Sequence, residues 1–168
     1  IDVDDLAKSI QLTLEPRDYQ KQAILNGLNN RRALLVSPTA SGKSLIIYML
    51  AMNYPMKKLI VVPTTGLVHQ LASDFSEYGY EFEVHKITAG ASKEINTDIT
   101  ITTWQSIYKQ PRKWFEQFKV VIGDEAHLFK AKSLTNLMSK MTDCPYRFGF
   151  TGTLDDTQTH RLVLEGLF

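Results

Sequence analysis

The sequence predicts an α/β domain, a mainly parallel sheet with helices on both faces. Two apolar runs, residues 59–62 and 120–122, lack polar interruption, as strands covered on both sides do in a parallel sheet. Stretches of strand length alternate with stretches of helical spacing, so right-handed βαβ crossovers are the expected connections. Between the first strand and its helix stands Ser37-Pro38-Thr39-Ala40-Ser41-Gly42-Lys43-Ser44, a turn built largely of small residues.

In chain order, residues 1–14 run from acidic to apolar and form a lead-in whose packing partner the sequence does not identify. It is expected to belong with a missing upstream region. Pro16 can open a helix, and Tyr19, Ala23, Ile24, Gly27 and Leu28 recur at helical spacing up to Asn29-Asn30. A strand over 33–37 leads through the turn into an apolar helix over 43–54. A strand over 59–62, a helix over 66–78 and strands over 82–88 and 99–102 follow. Helical pieces around 105–109 and 113–118 precede a strand over 120–124. Residues 134–141 read as helix, 147–151 as strand and 159–167 as a last helix. Met49, Met52, Met138 and Met141 fall at helical spacing and are assigned to the core.

At 168 residues the chain fits one domain with a proper core. Its formal charge of +1 gives no bulk attraction for a polyanion, so any nucleic-acid contact must be local. The lone cysteine, Cys144, rules out an internal disulfide, fits a reducing compartment and reads as a small buried hydrophobe. No apolar run approaches the roughly 18 residues that cross a membrane, and no leader precedes the domain. The expected location is cytoplasmic, the host cytoplasm for a phage protein. A start at Ile1 without methionine, and a stop straight after a helical pattern, lead us to expect an excised fragment.

The turn over 37–44 reads as a phosphate cradle. Backbone N–H groups between a strand and a helix converge on an anion, and the helix N-terminus adds partial positive charge. Thr39, Ala40 and Ser41 form its body. Gly42 allows close approach, Lys43 supplies a cation for the β/γ oxygens, and the Ser44 hydroxyl suits Mg²⁺. Ser37 replaces the first glycine of the G-x-x-x-x-G-K-[ST] template, and a small residue there still permits the turn. A chance Gly-Lys-Ser in an ordinary loop is the alternative. Downstream, the strand over 120–124 runs into Asp124-Glu125-Ala126-His127. Asp124 can hold Mg²⁺ through its water shell, and Glu125 can orient or deprotonate an attacking water. A helix N-cap is the competing use of such acids. Cation, metal and water-orienting acid together supply most of what phosphoryl transfer needs, so the pair points to nucleoside-triphosphate hydrolysis.

In this order the motifs resemble the first RecA-like domain of superfamily-two helicases and translocases, P-loop NTPases carrying a DEAH box, over about residues 15–155. Arg17-Asp18-Tyr19-Gln20 is similar to the adenine-reading element, and residues 37–44 are similar to motif I. The segment from Val62 through Pro63-Thr64-Thr65 to Gln70 is similar to motif Ia, and Thr102-Thr103-Trp104-Gln105-Ser106 to motif Ic. Asp124-Glu125-Ala126-His127 is similar to motif II, and Thr151-Gly152-Thr153 to motif III. A closer resemblance, to phage helicases that remodel branched DNA, is carried by Pro63-Thr64-Thr65, Gly90-Ala91-Ser92-Lys93 and the segment from Lys109 to Phe115.

The resemblance implies ATP and Mg²⁺, with Arg17 and Gln20 at the base. It implies nucleic acid as partner, branched or forked DNA by the closer match, touched by Pro63, Thr64, Thr65, Gly90, Thr103 and Gln105. It implies a coupling role for His127, Thr151 and Thr153. Residues 15–168 would be the first RecA-like domain, the second being absent together with its arginine fingers, so the fragment alone would be weak or inactive. Recombination and replication restart are the implied setting.

Several residues keep two readings. The Gln20 carboxamide matches the N6/N7 edge of adenine, or is a solvated helix residue. Thr64 or Thr65 can cap a helix while gripping a phosphate. Trp104 can stack on a base or pack in the core. Lys109, Arg112 and Lys113, beside Trp114 and Phe115, can touch a duplex or merely solvate a loop. His69, His85 and His160 show no metal-ligand spacing. The rival functions are a small-molecule P-loop kinase, a restriction or remodelling translocase subunit, an RNA helicase domain, and a non-hydrolysing binding module. Lys43, Asp124 and Glu125 together speak against the last.

Overall fold

The computed structural model describes residues 2–36, 42–88, 95–125, 135–136, 138–141 and 144–151. Its strands are β1 (Arg32–Val36), β2 (Lys58–Val62), β3 (Val84–Ile87), β4 (Ile99–Thr103), β5 (Val120–Gly123) and β6 (Tyr146–Thr151). They form one six-stranded sheet in the order β1-β6-β5-β2-β4-β3. Every neighbouring pair is parallel. The helices are α1 (Val3–Ser9), α2 (Asp18–Leu28), α3 (Lys43–Met52), α4 (Thr65–Glu77), α5 (Trp104–Ile107) and α6 (Arg112–Phe115).

Strand β2 shows why the sheet had to be covered twice. All five of its residues are buried. Ile60 and Val62 enter one apolar layer with α3 and α4, whereas Leu59 and Val61 enter the other with Trp104, Ile107, Phe115 and Phe118. Period-2 alternation thus feeds two cores, which gives the predicted helices on both faces. Met49 is fully buried in the first layer, with Met52 packed at its edge. Met138, Met141, Cys144 and Trp104 are buried in the second. Trp104 is therefore a core residue and not a free stacking platform. Burial also pushes the Cys144 thiol up to about 11, so the cysteine is inert packing.

Residues 2–13 find their partner in this domain. Asp2 caps α1 by accepting the N–H of Asp4 at 2.8 Å. Leu6, Ala7, Ile10 and Leu12 pack against the first apolar layer. Thr13 then fastens the segment to the end of α4, its N–H donating to Tyr78 O at 3.2 Å and its hydroxyl to Glu77 O at 2.6 Å.

The expected boundaries shift where local chemistry intervenes. The strand predicted over 82–88 is only β3, because Phe82 lies 76% exposed with no layer to enter. The helical pieces at 105–109 and 113–118 shrink to the single turns α5 and α6. Pro111 has no N–H to continue a helix, disfavours a helical residue before it, and stands as N-cap of α6. The strand over 120–124 ends at Gly123, which releases the acids from the ladder. Of the helix expected over 134–141, residues 135–136 and 138–139 are helical, and the helix over 159–167 lies outside the described residues. Among the described residues no helix is long and apolar enough to cross a membrane.

Candidate nucleotide and metal site

The site lies where the strands deliver their carboxyl ends. Gly123 pairs with Val61, and the N–H of Asp124 donates to Val61 O at 2.7 Å, so the acids emerge beside the end of β2. Strand β6 separates β5 from β1, the strand that feeds the cradle. It runs parallel to β5, and Thr151 is its last residue, opposite Val36 of β1.

Lys43, the first residue of α3, reaches the acids directly. Its Nζ is 2.8 Å from Asp124 Oδ1 and hydrogen-bonds Glu125 Oε1. The contact with Asp124 Oδ1 is one of charge proximity and not an aligned hydrogen bond. Burial works against the ammonium, but its close contacts with both carboxylates outweigh that and hold its pKa above the ordinary lysine value. For Asp124 the order is reversed: burial pushes the carboxyl up, with Lys43 opposing. Glu125 adopts φ +53°, a left-handed conformation that costs a non-glycine residue about 1–3 kcal/mol and recurs at functional sites.

These groups line a cavity of about 330 Å³ together with Ser44, Leu67, Gln70, Leu71 and Asp74. One ammonium faces three carboxylates, so the cavity holds surplus negative charge. Mg²⁺ takes one or two protein oxygens, keeps several waters and adds substrate phosphates. A hydroxyl at Ser44 and a carboxylate at Asp124 in one cavity form that kind of donor set. Among the described residues no cluster of three or more His, Cys, Asp or Glu side chains suits a metal held by protein ligands alone.

Gln20 is neither solvated nor idle. It is buried, accepts the N–H of Arg17 at 2.7 Å and donates to Gly42 O at 3.1 Å. The carboxamide therefore braces the end of the cradle and retains one N–H and one lone pair for another partner. Arg17 is exposed beside it. A Cβ on Gly42 would come within 2.3 Å of Tyr19 Oη, so the close approach that glycine permits here is to Tyr19.

The residues assigned to nucleic acid divide. Pro63, Thr64 and Thr65 follow β2 at the same sheet edge, and Thr64 and Thr65 are exposed. Thr64 Oγ1 caps α4 by accepting the N–H of Leu67 at 3.2 Å. Gln105 is exposed, but Thr103 is buried with its hydroxyl 2.8 Å from Ser106 Oγ, tying off α5. Thr39, Ala40, Ser41, Gly90, His127, Thr153 and the side chain of Thr151 lie outside the described residues.

Sequence reasoning missed the wall contributed by α4. Leu67, Gln70, Leu71 and Asp74 line the cavity, and Tyr78 reaches Ser44, with the hydroxyls 2.6 Å apart. Positions 67, 70, 71, 74 and 78 share one helix face, and that spacing is the signal that could have found them.

The chain matches the family model described as "Type III restriction enzyme, res subunit" over residues 13–156. It is 41% identical over 165 residues to the ATP-dependent DNA helicase uvsW of Enterobacteria phage T4, covering 92% of this chain and 33% of that protein. It is 30% identical over 150 residues to the DNA 3'-5' translocase XPB2 of Sulfurisphaera tokodaii, covering 89% of this chain and 33% of that one. The crystal structure of the UvsW helicase from bacteriophage T4 superposes with a TM-score of 0.79 at 40% identity, over 90% of this chain and 58% of that chain. The chain thus spans about a third of the length of these curated relatives. The resemblance read from the motifs, including its phage branch, is borne out.

Proposed function

This chain belongs to the res-subunit family of type III restriction enzymes, helicase-type ATPase domains of superfamily two, and on that footing we propose that it is the ATP-binding half of a nucleic-acid-dependent DNA helicase or translocase. Residues 15–168 form the first RecA-like domain in this reading, with residues 1–14 docked on it. A second RecA-like domain elsewhere in the full-length protein supplies arginine to the transferred phosphate. That group is worth about 10³–10⁵ in rate in related systems.

One observation carries the proposal: Lys43 sits against Asp124 and Glu125 at the carboxyl end of a parallel sheet. Without substrate, Lys43 offsets part of the charge of the two acids. When ATP arrives, Lys43 turns to the β/γ oxygens, which frees Glu125 for the water and leaves Asp124, with Ser44, as the residues that would hold Mg²⁺. Mg²⁺ held there would supply charge neutralisation at the phosphates. Glu125 then orients and deprotonates the attacking water, while Gln20 and Arg17 hold the base side. Pro63, Thr64, Thr65 and Gln105 contact nucleic acid, with branched or forked DNA the substrate in recombination or replication restart. The family description favours a second reading, a translocase subunit of a restriction enzyme.

The test is ATP hydrolysis by the full-length protein, titrated with single strands, duplexes, forks and four-way junctions of DNA and RNA. Forks and junctions of DNA should stimulate most, whereas stimulation by duplex length alone supports the translocase reading. Glu125→Gln should bind Mg²⁺–ATP yet hydrolyse it about 10²–10⁴-fold more slowly. Turnover near wild type in that variant would sink the assignment.

A further inference from the structure

Tyr78 is a residue that neither the motifs nor the family resemblance singles out. It caps the C-terminal end of α4, and its hydroxyl lies 2.6 Å from that of Ser44. Ser44 is the hydroxyl assigned above to the metal.

The placement of Tyr78 is over-determined. Its N–H donates to Asp74 O at 2.9 Å, and its own carbonyl accepts the N–H of Thr13 at 3.2 Å. The neighbouring Glu77 carbonyl accepts the Thr13 hydroxyl at 2.6 Å. The ring packs against Tyr48, centroids 5.5 Å apart, and the residue is only 9% exposed. A tyrosine whose backbone is hydrogen-bonded on both sides and whose ring is packed presents its hydroxyl pre-organised to the neighbouring one, because its ordering entropy is already spent in folding.

We propose that Tyr78 is a positioning residue for Ser44, its oxygen accepting the hydrogen bond that the serine O–H donates, so that the serine lone pairs face the cavity. A serine hydroxyl that binds a cation uses its oxygen for the metal and must send its hydrogen elsewhere. Metal ligands commonly depend on such outer partners for their orientation. Tyr78 also closes a physical path. Helix α4 begins at Pro63-Thr64-Thr65, the proposed nucleic-acid grip, and ends at the residue that orients a metal ligand. A shift of that helix therefore reaches the metal half-site through one hydroxyl contact. The inference rests on Ser44 being a metal ligand.

The experiment titrates Mg²⁺ against binding of a fluorescent ATP analogue by the full-length protein. Wild type, Tyr78→Phe, Ser44→Ala and Tyr48→Phe are compared, each also in EDTA. Tyr78→Phe keeps the ring and its packing. The expected result is a roughly tenfold rise in half-saturating Mg²⁺ for Tyr78→Phe, with binding in EDTA and the melting temperature near wild type. Tyr48→Phe removes the adjacent hydroxyl, which has no hydrogen-bond partner among the described residues, and should leave the Mg²⁺ requirement unchanged. An unaltered Mg²⁺ requirement in Tyr78→Phe overturns the proposal, provided that of Ser44→Ala rises. So does a loss of affinity equal with and without the metal. If Ser44→Ala also leaves the requirement unchanged, the metal-ligand reading of Ser44 fails, and the proposal fails with it.

Discussion

Lys43 carries two duties that pull in opposite directions. In the free protein its ammonium offsets part of the charge of two carboxylates, one of them buried, and in the function proposed above it leaves them for phosphate. Lys43→Ala should therefore lower affinity for Mg²⁺–ATP by at least about tenfold, the order expected for a charged hydrogen bond. Equilibrium binding of a fluorescent analogue reads this, and unchanged affinity would remove residues 37–44 from the phosphate site. Asp124 adds a pH signature. Its carboxyl is pushed above the ordinary aspartate value of 3.8 by burial, so the folded state holds that proton more tightly than the unfolded chain. The stability this provides is complete below about pH 4 and is lost as pH rises through the raised folded value. The melting temperature of wild type relative to Asp124→Asn should thus decline across that window. A difference flat with pH would mean that the carboxyl is not desolvated.

At the scale of elements, the end of α4 is a junction. Gly79 turns the chain with φ +110°, and a Cβ there would sit 3.0 Å from the Gln11 carbonyl oxygen, which is backbone and cannot step aside cheaply. The same turn presents Tyr78 to Ser44 and Thr13. Gly79→Ala should cost about 1–3 kcal/mol, the range for a residue forced into a sparsely populated conformation. Urea unfolding measures it, and a loss of only a few tenths would show that the turn relaxes without strain. The single-turn helices α5 and α6 stand in contrast. Too short to be stable alone, they are held by Trp104, Ile107 and Phe115 buried in the second layer, and by Lys140 Nζ donating to Tyr108 O and Gln110 O at 2.7 and 2.9 Å.

For the whole molecule the question is how chemistry becomes motion. Strand β6 lies between β1 and the strand that carries the acids, and from that position we propose that its end reports phosphate occupancy. We expect Thr151→Ala combined with Thr153→Ala, in the full-length protein, to spare ATP binding and most of the hydrolysis while unwinding falls much further. The quantity to compare is unwinding events per ATP consumed on one forked DNA. If both rates fall together and the ratio holds, the pair serves catalysis or folding instead of coupling.

The linear sequence by itself determined the chemistry and the fold class, because both are written in local terms. Gly42-Lys43-Ser44 and Asp124-Glu125 are contiguous residue types whose function depends on backbone turns at strand ends, and uninterrupted apolar runs such as 59–62 arise only where a strand is covered on both faces. Sequence spacing could not say that residues 2–13 dock on this domain, that Gln20 braces Gly42, that Thr103 turns inward to Ser106, or that Tyr78 reaches Ser44. Those facts were decided by tertiary structure alone. Each joins or orients groups through a particular strand order and helix crossing, and hydrogen bonds about 3 Å long between residues as distant as 44 and 78 exist only once the packed layers have fixed that geometry.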